Sequence, residues 1–511
     1  MIKKKYILAH DTGTGGNKAV LTDLRGKIVH SVYREYGRIY PKKGWVEQDP
    51  NELWRAVAET SKQVVREGRI LPGEILGVGI SAQMFNLLPV DAKGHPLINM
   101  ISWLDVRSIS QAEYVMREEI RQLLYAQTGN IPTAKDIIPK ILWFKASQPE
   151  LFQRTYKLLD CKEYIIHKLT GEFAIDWHGA SAFFLFDPYE KKWSQAACDC
   201  LGIPVEMLPD PVPCTSIVGN VTQEAARQTG LIQGTPVVIC AGDVAVAQTG
   251  SGSNKAGRAH LCVGTAAWVG ISSTTFVNSE KKPLWALNHI DPEKWIIAGE
   301  METGGGALMW FKEVFCELET AKAKKKGTSA YTLLGQMAKE VKPGSNGLLF
   351  APWLSGERSP VLNHYARGAW VGISLSHTKA HFTRAVLEGV AYQLRWICEA
   401  LEKQNLQFDE VNAVGGGCTS PLWSQIISDV TNKTLHIVKN PLNGGAVGAA
   451  LTVAVGLGVY PNLESLDKLI EIETTITPNP AYTNYYSDLY EEYRQMYKKL
   501  KRINQRLYEL S

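Results

Sequence analysis

Apolar and polar positions follow two different periods along this chain. Tyr6-Ile-Leu-Ala9 is a short apolar run, Asp11-Thr-Gly-Thr-Gly-Gly16 has turn composition, and Lys18-Ala-Val-Leu-Thr22 is extended again. Asp23 to Gly26 turns into Lys27-Ile-Val-His-Ser31, so the pattern predicts an antiparallel meander. From Asp49 the period becomes helical, with Leu53, Trp54, Val57, Val64 and Val65 on one face, Asp49 as N-cap and Pro50 just inside. Ile75 to Ile80 reads as a buried strand ending at Ser81. Ile137 to Lys145, Cys161 to Leu169 and Gln195 to Leu201 read as helices, and Thr235 to Ala241 as a central strand running into Gly242-Asp243.

The opening pattern then recurs. Arg258 to Val263 is a strand, Gly264-Thr265 a turn and Ala266 to Ile271 the returning strand, which predicts two similarly built α/β domains. Ser251 to Gly257 has linker composition. Lys322 to Ser329, with four lysines and a glycine, reads as a solvated loop. Tyr485 to Leu507 reads as a charged helix whose tyrosine stripe packs on the body.

Composition narrows the classes. The 511 residues are 45% apolar and 21% charged, with 55 Lys plus Arg against 51 Asp plus Glu, a net charge of +4. Such a chain folds around large cores, and its charge excess is too thin to mark nucleic acid or an anionic membrane as the partner. The nine cysteines are scattered without a CxxC pair and read as reduced thiols. Lys3, Lys4 and Lys5 precede too short an apolar run for a signal peptide. The apolar stretch Ala446 to Tyr460 is broken by three glycines and is shorter than the roughly 18 residues of a membrane helix. A cytoplasmic location is expected.

The glycine turns carry the candidate chemistry. Hairpin glycines leave backbone N–H groups free to cradle an anion, and the first turn adds Thr12, Thr14 and Lys18. Asp11 at the strand end would repel a phosphate, but suits a divalent metal lying between the two. A plain hairpin explains this turn equally well. No GxxxxGK[ST] occurs, GxGxxG fails at Lys18, and protein-kinase signatures are absent. Three further turns, at Gly264-Thr265, Thr303 to Gly306 and Gly415-Gly416-Gly417, the last between a strand and a helix through Pro421, point to a nucleoside triphosphate held between domains.

These residues resemble the FGGY carbohydrate kinases of the actin-like ATPase fold. Gly368-Ala-Trp-Val-Gly-Ile373, seven residues, then His381-Phe-Thr-Arg-Ala-Val-Leu-Glu388 follow the family's second signature. Pro139-Lys140-Ile-Leu-Trp143 matches the first less strictly. Gly356-Glu-Arg358 with Pro360, Leu169-Thr-Gly171, Asp176 and Gly444 to Ala450 extend the likeness over nearly the whole chain.

The resemblance implies two ribonuclease H-like domains, 1–253 and 254–480, with an active-site cleft between them and a helical tail, 481–511. It implies transfer of the γ-phosphoryl of ATP to a sugar hydroxyl with Mg2+, Asp243 as general base and Asp11, with Asp243, at the metal. Thr12, Gly13, Thr14, Gly15, Lys18, Gly264, Thr265 and Gly306 would hold phosphates, and Gly415, Gly416 and Gly417 the adenosine. Gln83, Met84, Trp103 and Asp105, with Asp243, would contact the sugar in the xylulokinase-like branch. Family members are often dimers, so the resemblance allows a homodimer.

The bland reading of Asp243 is a helix N-cap; Trp103 and Trp143 read equally as core aromatics. Two departures bear on the substrate: Phe85 replaces a His usual in ketopentose kinases, and Val244 replaces a polar residue. Asn443 stands in for a usual Glu. A ketopentose is the leading substrate, another ketose, a sugar acid or a polyol the alternative, and an actin-like ATPase without sugar chemistry the alternative class.

Overall fold

The computed structural model describes residues 5–277 and 284–510; Lys3 and Lys4 lie outside them. The predicted meander is β1 (Tyr6–Thr12), β2 (Gly16–Asp23) and β3 (Ile28–Glu35), antiparallel throughout. Helix α1 (Pro50–Glu67) starts where Asp49 caps the Asn51 N–H at 2.8 Å, and its apolar face is buried as its spacing predicts. Strand β4 (Ile75–Ala82) pairs parallel to β1, β6 (Pro236–Val238) parallel to β4, and β5 (Ile217–Asn220) closes the edge antiparallel. The first sheet therefore runs β5-β6-β4-β1-β2-β3. Side chains alternate across it. Leu8 faces the core beneath α1, whereas Ile7 and Ala9 face a second core.

Helix α2 (Asp243–Gly250) follows, and the pattern repeats in β7 (Ala259–Val263), β8 (Ala267–Ser273), β9 (Trp285–Asn288) and β10 (Trp295–Met301). Helices α3 (Gly305–Phe315) and α4 (Lys379–Glu402) lead to β11 (Glu410–Val414), α5 (Pro421–Thr431) and β12 (Thr434–Val438). Helix α6 (Gly444–Gly456), β13 (Ile472–Ile476) and α7 (Pro480–Leu510) complete the chain. The second sheet runs β9-β10-β8-β7-β11-β12-β13. Each sheet thus carries three antiparallel strands followed by two parallel ones, the ribonuclease H-like order, with an antiparallel strand added beyond, and the second sheet adds β9 antiparallel at its other edge.

The sheets are joined through their helices. Although α6 lies between β12 and β13 of the second sheet, its Ala449, Leu451 and Val453 share a core with Ile7 and Val238 of the first. It crosses α2 so closely that a Cβ on Gly448 would lie 1.8 Å from the Val246 carbonyl oxygen. Ser251 to Gly257 is not a loose linker: Ser251, Ser253 and Asn254 are buried, and Asn254 Nδ2 donates to Asp467 at 2.6 Å. Nor is Lys322 to Ser329 all loop, because the helix Glu317–Lys325 runs into it under its own i,i+4 bonding. The tail helix buries Tyr486, Tyr490 and Tyr493 in the second core. The charged pair of the second signature anchors this tail. Arg384 and Glu388 meet at 2.7 Å and both bond the Tyr486 hydroxyl. Among the described residues all nine cysteines are free, and no helix is long and apolar enough to cross a membrane.

Three buried histidines make the fold acid-sensitive. His10 is held between Asn17 and Ser61, His260 Nε2 accepts from the Trp268 indole at 2.9 Å, and His289 Nδ1 accepts the Asp291 N–H at 2.8 Å. Burial lowers His10 to about 4 and His260 and His289 to about 3. The unfolded chain takes up these protons first, at about 6.5, so stability is full above that pH and falls as the pH drops through the window down to the folded values. Denaturant titration should show a loss on the order of 2 kcal/mol per histidine between pH 6.5 and 5. A midpoint independent of pH over that range would mean that these rings are protonated or solvated in the folded protein.

Candidate active site

One cavity of about 1430 Å³ opens between the sheets, and the recurring turns converge on it. The first turn is closed by Gly13 N–H to Gly16 O at 3.0 Å, and Gly13 and Thr14 line the cavity. Asp11 lies at the end of β1, opposite Lys18 in the β1–β2 register. Its carboxylate also faces the N-terminus of α6, where a Cβ on Gly445 would come within 3.1 Å of Oδ2. Burial raises the Asp11 pKa, and Lys18 opposes that rise. The Lys18 ammonium donates to the Leu442 carbonyl at 2.6 Å, tying the first sheet to the segment that enters α6.

Asp243 is the first residue of α2, with Gly242 as the N-cap, so the capping reading of its side chain is not realised. Its Oδ1 accepts the Val244 N–H at 2.9 Å. Burial first and then the neighbouring Asp11 charge raise its pKa to about 7. A buried carboxyl whose proton affinity is raised by a second carboxylate nearby suits a cation between them. Among the described residues no three His, Cys, Asp or Glu side chains group to enclose a metal. A two-carboxylate site fits magnesium, which keeps waters and binds substrate phosphates, better than a metal that needs a full protein cage.

The second hairpin turn is braced from behind. Gly304 and Gly306 N–H groups donate to Thr265 O, both at 2.9 Å, and Gly305 N–H to Gly264 O at 2.7 Å. Gly264, Thr265 and Gly306 line the cavity, but the Gly306 N–H is already engaged, so this turn supports the hairpin instead of adding a free anion nest. Gly415 takes φ +97°, and its Cβ position would be 2.6 Å from Val263 O, so only glycine fits. Gly415, Gly416 and Gly417 line the far end of the cavity with Pro421 and Leu442.

At the near end stand Gln83, Met84 and Trp103. The Trp103 indole donates to Thr14 Oγ1 at 2.8 Å, Gln83 Nε2 to Gln48 at 2.8 Å, and the buried Gln83 Oε1 has no partner. Three expected residues are not brought into the cavity. The Thr12 hydroxyl is buried on Asn17 at 2.8 Å, and Gly15 lies behind the turn, with its carbonyl bonded by Tyr36. Asp105 is fully buried on Arg107 Nε and Nη2, at 2.9 and 2.8 Å, which leaves it no free edge for a sugar.

The departures Phe85 and Val244 both line the cavity. Phe85 takes φ +65°, rests 5.2 Å from Trp285 and lies 5.1 Å from the Arg358 guanidinium. The buried ammonium of Lys140, from the first signature, holds the Phe85 carbonyl at 2.7 Å. Trp143 instead packs edge-on to Trp45 at 5.2 Å, away from the cavity. Trp268, Trp285, Glu300 and Arg358 complete the wall. Only Glu300 left a trace in the sequence that the pattern reading passed over, an acid inside the apolar run Ile296 to Met301.

Two ribonuclease H-like sheets closing on paired carboxylates and glycine turns define a phosphoryl-transfer ATPase fold. The finer placement comes from comparison with known proteins. The N-terminal domain profile of the FGGY family of carbohydrate kinases matches residues 6–250 and the C-terminal domain profile residues 259–457, and the chain belongs to this family of ATP-dependent phosphotransferases. It is 30% identical to a xylulose kinase of Staphylococcus epidermidis over 98% of both chains. A gluconate kinase from Lactobacillus acidophilus superposes with a TM-score of 0.86 at 26% identity, covering 97% of this chain and 98% of the other. A ligand-bound xylulose kinase from the same organism gives 0.85 at 26% identity, with coverage of 97% and 98%.

Proposed function

We propose that this sugar kinase phosphorylates a ketopentose, with ATP bound across the second half and the sugar beside Asp243. The observation that carries the reading is the convergence in one cavity of Asp243, poised near neutrality, with the turns at Gly13, Gly264 and Gly415. The sugar hydroxyl attacks the γ-phosphorus, the bond to the ADP oxygen breaks, and the hydroxyl proton passes to Asp243. Asp11, with Asp243, would hold magnesium, which when bound neutralises phosphate charge. Gly13, Thr14, Lys18, Gly264 and Thr265 orient the phosphates, and Gly415 to Gly417 flank the adenosine. The two halves, 1–253 and 254–480, close on the substrates and exclude water, and the tail 481–511 stays with the second.

The relatives' names divide between xylulose and gluconate, and the charge balance of the cavity favours the neutral sugar. Arg358 is the cation on the sugar side, and it is already met by Asp136 at 3.0 Å and Glu302 at 3.2 Å. Among the described residues no uncompensated positive charge is left there for a sugar-acid carboxylate.

ADP release with ATP and magnesium across ketoses, aldoses, polyols and sugar acids tests the reading. Strongest stimulation by a ketopentose supports it, preference for gluconate overturns the substrate, and steady hydrolysis without stimulation points to an actin-like ATPase. Phe85→His restores the usual polar side chain at the wall and should raise kcat/KM for ketopentoses about tenfold. An unchanged profile would make Phe85 a packing residue only.

A further inference from the structure

The sugar side of the cavity holds a carboxyl with no role in the proposed phosphoryl transfer. Glu300, at the end of β10, lines the cavity with its side chain 13% exposed. Among the described residues no donor hydrogen-bonds its carboxyl, and its one ion-pair contact is Arg358 Nε at 3.7 Å. That same Nε is bonded more closely by Glu302, and Nη1 by Asp136. Glu302 is in turn bonded by Lys135 at 2.8 Å. Charge balance around Arg358 therefore does not require Glu300. The Arg358 Nη2 group donates to nothing among the described residues, and its guanidinium is held in place over Phe85 and Trp285. An open acceptor beside an open donor, on a stretch of wall shared with Phe85 and Trp285, offers a ligand a matched pair of hydrogen-bonding groups.

We propose that Glu300 is a specificity residue: its carboxyl, with the free Nη2 edge of Arg358, grips a neighbouring pair of hydroxyls on a neutral sugar, distinct from the acceptor hydroxyl at Asp243. A hydroxyl pair both donates and accepts, and so answers both groups. A sugar-acid carboxylate would find Arg358 already taken by Glu302 and Asp136. Burial raises the Glu300 carboxyl to about 8, against the pull of Arg358, with Glu302 and Asp243 adding to the rise. A group that holds its proton there can donate to one hydroxyl as well as accept from another. The inference rests on the kinase reading of the preceding subsection and deepens it.

Steady-state kinetics of the full chain test it, with the best neutral sugar and its single-deoxy analogues. Glu300→Leu should lower kcat/KM for the sugar about 100-fold, chiefly through KM, with KM for ATP unchanged. Glu300→Gln should stay within about tenfold of wild type, because the amide still donates and accepts. The deciding readout is one deoxy analogue on which wild type and Glu300→Leu are equal, since the lost hydroxyl and the lost carboxyl are the same interaction. Glu300→Asp, which keeps the carboxyl and withdraws its reach, should show a smaller loss confined to the same hydroxyl, and it carries the test should the leucine variant not fold. An equal loss on every analogue, or no loss, overturns the proposal. A wild type that prefers a polyol to ketopentoses defeats only the ketopentose reading, and the Glu300 test is then read on the polyol. A wild type that prefers a sugar acid, or shows no sugar-stimulated turnover, defeats both.

Discussion

Replacing Asp243 by alanine is expected to remove sugar-dependent ADP release while leaving nucleotide affinity close to wild type. A positioned base contributes roughly 10²- to 10⁴-fold, and Asp243 is the cavity carboxyl whose pKa, near 7, lets it accept a proton at the working pH. The variant should fold. The side chain makes one local bond, to the Val244 N–H, and its removal relieves the repulsion with Asp11. The measurement is single-turnover transfer to sugar alongside nucleotide binding to the same protein. Turnover within a few-fold of wild type would take Asp243 out of the chemistry and leave Asp11 as the carboxylate to examine.

The second large effect is on stability. Gly448→Ala should destabilise the protein by about 3 kcal/mol or more, because the added methyl would lie 1.8 Å from the Val246 carbonyl. Its neighbour is backbone of a facing helix, which cannot rotate aside as a side chain would. Gly250→Ala, whose Cβ would lie 1.9 Å from Gly444 O at the same crossing, should behave alike. Gly335→Ala is the control: it lies in the helix Ala330–Lys339 with no atom within 4 Å of its Cβ position, so the change should be neutral or slightly stabilising. Denaturant midpoints of the three variants decide the matter. Equal midpoints would mean that α2 and α6 separate readily. In that case the two sheets are not coupled through this crossing.

Much of this architecture was legible locally. Asp49 and Pro50 announced α1, and short apolar runs broken by glycine turns announced both hairpins, because caps and turns act within a few residues of one another. The ordered motifs carried the family. Those motifs are not all active-site residues, however. Arg384 and Glu388 of the second signature hold the tail helix, and Lys140 of the first holds the Phe85 carbonyl.

Asp105 shows where local reading ends. The family resemblance implies that it is a sugar ligand, yet Arg107, two residues on, takes its carboxylate. The Gly304 to Gly306 turn reads as an anion nest, but its N–H groups spend their bonds on the carbonyls of another turn about forty residues earlier in the chain. Which donors stay free is a property of what packs against them.

The sequence by itself determined the two repeated β-hairpins, the capped helices, the kinase family and a strand ahead of Asp243, which is shorter (Pro236–Val238) than the Thr235 to Ala241 it predicts, since each rests on neighbouring residues or on a motif order carried in the chain. Only the tertiary structure decided that α6 returns beneath the first sheet to meet Asp11, that Asp105 and Thr12 are withdrawn from the cleft, and that Glu300 is left open inside it. These depend on contacts between residues far apart in sequence, where burial and the competition for hydrogen-bond partners, not local propensity, set each side chain's role.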